Sequence, residues 1–105
     1  MDKLNYLIQN VFVGLENLNN GFDSQSIYYF SENDFEIVLD RVEKLGIKIL
    51  GIEPWRNGEF YDVLGPDDFN SDLKWYRKAF IKFKESGENL QYAATYKIPS
   101  ILLNR

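Results

Sequence analysis

Apolar residues recur along this chain first at helical and later at strand spacing. Leu4, Leu7, Ile8, Val11, Phe12, Leu15 and Leu18 fall three or four apart, which predicts an amphipathic helix from residue 2 to about 19, ended by Asn19-Asn20-Gly21. Ser26-Ile27-Tyr28-Tyr29-Phe30 is short, aromatic and bounded by polar residues, and reads as a strand. Ser31-Glu32-Asn33-Asp34 then opens a second helix as a near capping box, with Phe35, Val38, Leu39, Val42 and Leu45 on one face and Gly46 as its stop. Ile47 to Ile52 is β-branched and reads as a strand. Asn57-Gly58 is a two-residue hairpin signal, which makes Glu59 to Val63 the return strand. A polar loop, Gly65 to Asn70, leads to a Ser71 cap and a third helix through about Ser86, ended by Gly87. The last strand alternates cleanly: Leu90, Tyr92, Ala94, Tyr96 and Ile98 on one face, Gln91, Ala93, Thr95 and Lys97 on the other, with Pro99 as its end.

The order is one helix followed by strand, helix, strand, strand, helix, strand. This predicts an α+β fold: an N-terminal helix, then a ferredoxin-like βαββαβ unit with a four-stranded, mainly antiparallel sheet and both later helices on one face. No linker, repeat or low-complexity tract interrupts residues 1–105, so one domain is expected. This layout hosts many unrelated sites, so function has to come from residues.

Composition narrows the chemistry. The 105 residues include no histidine and no cysteine, which excludes thiol nucleophiles, Ser-His-Asp relays, zinc fingers and the common haem and iron–sulfur ligation. Carboxylates near one another, with Glu53, Glu59 and Asp62 the nearest candidates, are the remaining acid–base option, but so small a chain has little room for a substrate cleft and no enzyme is expected. No glycine-rich phosphate cradle, EF-hand spacing or terminal calcium-binding Glu is present, so neither a cofactor nor a metal is expected, and turn chemistry explains Asp67 and Asp68. Met1 to Asn5 lacks the features of a signal peptide and no run reaches membrane-spanning length, which points to the cytoplasm and away from membranes.

The net charge of −4 disfavours nonspecific nucleic-acid binding, yet it is unevenly spread. Residues 53–72 carry six acids and one base, while residues 73–105 carry two acids and seven bases. In the second helix Glu32, Glu36, Asp40 and Glu43 lie within one arc. In the third, Leu73, Trp75, Tyr76, Ala79, Phe80 and Phe83 form the apolar arc, opposite Lys74, Arg77, Lys78 and Lys82. With the aromatics turned away from most of these bases, nucleic acid is not the expected partner. If the two helices lie side by side, the acidic ridge and the basic face compensate each other.

The hairpin carries the sharpest candidate site. A two-residue turn opposes Arg56 to Glu59, Trp55 to Phe60, Pro54 to Tyr61 and Glu53 to Asp62. Trp55 and Phe60 then share one side of the ribbon with two like-charged carboxylates, a combination suited to a partner's Lys or Arg. The competing reading packs the aromatics under the third helix and neutralises the acids internally. The candidate partner-binding set is Glu53, Trp55, Arg56, Glu59, Phe60, Tyr61, Asp62, Asp67 and Asp68, with Trp55 as the aromatic anchor.

The run Leu45-Gly-Ile-Lys-Ile-Leu-Gly-Ile-Glu-Pro-Trp55, continuing through Gly58-Glu-Phe-Tyr-Asp-Val63 to the helix with Trp75-Tyr76, resembles the small immunity proteins of bacterial polymorphic toxin systems over about residues 28 to 97. The resemblance lies in the layout of a helix ending in Leu-Gly-Ile, a strand, a polar aromatic hairpin and a helix with Trp-Tyr. It implies an inhibitory protein that neutralises a cognate, basic toxin domain. The alternative is a regulatory or sensory ferredoxin-like module that self-associates or binds a small ligand through an open apolar sheet face formed by Tyr28, Tyr29, Phe30 and the last strand.

Overall fold

The computed structural model describes residues 1–104 and begins with a helix, α1, that is shorter than its apolar pattern: Lys3–Asn10 rather than 2 to 19. Asp2 caps it, accepting from the Asn5 N–H at 2.9 Å. Beyond Asn10 the chain meets Val11, Phe12 and Val13, poor helix formers, and then Gly14 at φ +80°. The Arg41 guanidinium takes over the carbonyls of Val11 (2.8 Å) and Val13 (2.7 Å), which a continuing helix would have used itself.

Residues 15–29 form an irregular loop organised by two asparagines. Asn19 Nδ2 donates to the carbonyls of Ser24 and Ile27, both at 2.8 Å, and Asn17 Oδ1 accepts from the Tyr29 N–H at 3.1 Å. These bonds curl Ser24–Ile27 away from the sheet. The expected strand Ser26–Phe30 therefore reduces to one bridge, Phe30 opposite Tyr92.

Helix α2, Glu32–Leu45, matches its sequence signals: Ser31 Oγ accepts from Asp34 N–H at 3.2 Å, and Gly46 closes the helix at φ +72°. Strand β1 (Lys48–Arg56) is central in a three-stranded antiparallel sheet of order β2-β1-β3, with β2 at Glu59–Phe60 and β3 at Gln91–Lys97. The four-stranded ferredoxin-like sheet is thus not what forms. The register between β1 and β3 shifts by one residue between Ile49 and Gly51, leaving Leu50 outside the pairing.

A 3₁₀ turn, Pro66–Phe69, precedes helix α3, Trp75–Glu85. The helix starts later than a Ser71 cap requires, because Asn70 and Ser71 both take left-handed backbone angles and Asp72 instead accepts from the Lys74 N–H at 2.8 Å. Leu73 consequently lies outside the helix and is 94% exposed, not part of the apolar arc. A last turn of helix, α4, spans Ser100–Leu103.

Helices α2 and α3 cover one face of the sheet. Phe35 of α2 stacks on Tyr92 of β3 at 5.1 Å, and Phe80 of α3 meets the same ring edge-on at 5.2 Å. Most of the buried apolar residues form one continuous cluster that also takes in Tyr6, Leu7, Val11 and Phe12, while Tyr29 and Ala93 lie outside it. Register puts Glu53, Trp55 and Ala93 on the opposite face, where the loop brings Phe22 and Tyr29 against Trp55. No described helix is long and apolar enough to cross a membrane.

Candidate functional site

The hairpin turn forms as its dipeptide predicts. Asn57 and Gly58 have φ of 53° and 79°, the positive angles a type I′ turn demands, and the pairs Arg56–Glu59 and Trp55–Phe60 stand in the expected register. Glycine suits position 58 because of its positive φ; an added Cβ would meet Phe22 only at ordinary contact distance, 3.4 Å from its Cβ.

One step further the expected register fails. A regular ladder would next need an N–H from Pro54, and proline has none. The Pro54 carbonyl instead accepts from both Tyr61 (3.1 Å) and Asp62 (3.4 Å), and pairing resumes one residue out of step where Ile52 meets Leu64. Strand β2 is therefore two residues long, and Glu53 is not paired across from Asp62.

Glu53 is engaged elsewhere. Its Oε2 accepts from the Trp55 indole N–H at 2.7 Å and lies 3.4 Å from the Tyr29 hydroxyl, which donates to Asp23 at 2.6 Å. Burial, and then the Asp23 carboxylate, push the Tyr29 phenol well above its ordinary value, so it stays a proton donor. Trp55 packs against Phe22 at 5.3 Å, Tyr29 at 5.6 Å and Phe60 at 6.3 Å. The expected anchor is thus half-buried scaffold, and the aromatic left outward is Phe60, 57% exposed.

The remaining candidates divide by position. Tyr61 turns the other way, edge-on to Phe83 of α3 at 6.5 Å, whereas Trp55 and Phe60, the aromatics that the competing reading packs under this helix, do not meet it. Arg56 lies over the Tyr61 ring and pairs with Glu88 at 3.1 Å, so the one base of the segment is already used. Glu59 and Asp62 are exposed near the tip. Asp67 and Asp68 belong to the 3₁₀ turn, which sits near Leu50 at the start of β1, roughly 20 Å along the strand from the hairpin. Asp68 accepts from the Gly65 N–H at 2.8 Å, a local turn-closing bond. The set is therefore an edge rather than one cluster. Glu59, Phe60, Asp62, Val63, Asp67 and Asp68 follow the β2 flank of β1, and none of these carboxylates has an ion-pair partner among the described residues. Nor does any group of three or more described carboxylates stand close enough to hold a metal ion.

Three of the four acids on the α2 ridge, Glu36, Asp40 and Glu43, meet cations of α3 or the residue before it, and Glu32 meets none among the described residues. Arg77 of α3 holds Glu43 through two bonds of 3.0 and 3.1 Å and Asp40 through one of 2.6 Å, while Lys84 reaches Glu36 at 3.7 Å. Hydrogen bonding from Arg77, with a further bond from Tyr76 at 2.7 Å, draws the Glu43 carboxyl down to about 2. Tyr76 is pushed up to about 12 by its burial and by Glu43.

Reading the sequence misses the supporting residues Phe22, Asp23 and Tyr29. Their signal is the Asn- and Asp-rich stretch Asn17 to Ser24, which reads as a helix end and in fact builds a bonded loop against the hairpin. Of the aromatic segment expected to leave a sheet face open, Tyr29 and Phe30 are fully buried, while Tyr28 is half-buried and lines a cleft beside β3. Comparison with known proteins adds no further constraint, since no family model, curated protein or solved structure matches the chain.

Proposed function

We propose that this is a binding and inhibitory protein of the immunity type, which neutralises a basic toxin domain by covering it with the acidic flank of its sheet. The observation that supports this reading is the exposed strip Glu59, Phe60, Asp62 and Val63, continued by Asp67 and Asp68, in which carboxylates without internal cations alternate with outward apolar side chains. Such a strip has the make-up of an interface: a rigid aromatic for contact area and unpaired charge to steer an oppositely charged partner. The hairpin is preorganised by its turn, its bulge and the aromatic cluster beneath it, which lowers the ordering cost of binding. The role needs no catalytic group.

The test is affinity for the basic protein encoded beside its gene. Phe60→Ala and the double variant Glu59→Gln/Asp62→Asn are each expected to weaken binding about 10-fold or more, the second with a lost salt dependence and an unchanged melting temperature. Unchanged affinity in both would reject the site.

A further inference from the structure

The opposite edge of the sheet is open. On that side Tyr92 exchanges two backbone bonds with Phe30, at 2.9 and 2.8 Å. Because a strand's polar groups alternate, Ala94 and Tyr96 turn their N–H and C=O groups the same way as Tyr92, and these make no backbone bond across this edge. Where a fourth strand would lie, Ser26–Tyr28 has curled away and leaves a cleft of about 300 Å³ between itself, α1 and β3. Its walls are apolar, from Leu4, Leu7, Phe12, Ile27 and Tyr28, and Lys3 stands among them. At the same end of the sheet Lys48 and Lys97 oppose each other directly, and none of the three lysines has an acidic partner among the described residues.

We propose that this cleft accepts an extended peptide segment of a partner protein as an added strand, with an aliphatic side chain against Leu4 and Leu7 and a carboxylate toward Lys3 and Lys97. Two donor–acceptor sets on one edge, spaced two residues apart, are the complement of an extended backbone and not of a compact ligand. Apolar walls select the side chain and the unpaired lysines select the charge. A second copy fits poorly, since each edge is recessed between α1 and Ser26–Tyr28 and both copies would bring the same lysines. The site lies on the other edge of the sheet from the hairpin strip and does not depend on it.

Amide hydrogen exchange and ¹⁵N–¹H spectra of the full chain test this. In the free protein Ala94 and Tyr96 amides are expected to exchange at least ~10-fold faster than those of Ala93 and Thr95. On addition of the blocked heptapeptide Val-Thr-Val-Ile-Thr-Glu-Glu, the Ala94 and Tyr96 signals are expected to shift and their exchange to slow. The same peptide N-methylated at alternate residues is expected to bind at least ~10-fold more weakly, and a Lys3→Glu/Lys97→Glu variant to lose affinity and salt dependence together. Protected Ala94 and Tyr96 amides in the free protein, equal binding by the N-methylated peptide, no shift at about 1 mM peptide, or concentration-dependent shifts without peptide would each overturn the proposal, the last by assigning the edge to a second copy.

Discussion

Asp40 and Glu43 on α2, and Glu59 and Asp62 on the hairpin, are acids set beside aromatic side chains, but only the first two have a cation. Arg77 reaches both from α3, because the two helices lie side by side on the same sheet face and their charged arcs meet. The hairpin acids lie on a sheet edge with no element beyond them. Their nearest base, Arg56, is drawn to Glu88 instead. Similar local composition therefore yields a structural cluster in one place and an unneutralised surface in the other, and what separates them is the neighbour each element acquires on folding.

The α2–α3 cluster depends most on Arg77. Arg77→Leu leaves two carboxylates without their shared partner and is expected to cost about 2 kcal/mol, read as a lower denaturant midpoint. A loss below ~0.5 kcal/mol would make α2–α3 an ordinary exposed pair and erase the contrast. Gly58→Ala is expected to cost about 1 kcal/mol, because position 58 sits at φ +79°, and to weaken the hairpin's hold on any partner. Its melting temperature reports the first effect and a binding titration the second.

Acid acts on the α2–α3 cluster through Glu43. The unfolded chain protonates Glu43 near the ordinary carboxylate value, whereas in the folded protein Arg77 keeps it ionised down to about 2. The stability this pair contributes is therefore fully present above about pH 4.5 and lost as pH falls toward 2. Melting curves across that window should show a decline on the order of 1 kcal/mol that Glu43→Gln removes, discounted because the pair is partly solvated. The smallest stability effect belongs to Glu59→Gln/Asp62→Asn, expected within ~0.5 kcal/mol of the parent while binding falls. A larger destabilisation would show that these acids have a structural partner after all.

Much of the hairpin was legible in residues alone. Asn57-Gly58 dictates positive φ at both positions, and from that turn the register Arg56–Glu59 and Trp55–Phe60 follows by counting. Pro54 was equally visible, and its missing N–H explains why the count stops there; reading the ladder through it placed Glu53 opposite Asp62 in error. Helix α2 was legible end to end because a Ser31 cap, a periodic apolar face and Gly46 agree. The first helix was not, because its apolar period continues past the point where Gly14 and a distant arginine end it.

Local choices follow from the residues themselves: where turns must bend, which face of α2, α3 and β3 is apolar, and that chemistry must come from side chains other than His and Cys. Everything that depends on a neighbour far along the chain was set on folding. Arg41 ends α1 across 30 residues of sequence, Asn19 pulls Ser24–Ile27 off the sheet edge, and Arg77 neutralises α2. Hydrogen-bonding groups and charges are satisfied by whichever partner folding brings within about 3 Å, and local periodicity carries no record of which partner that is.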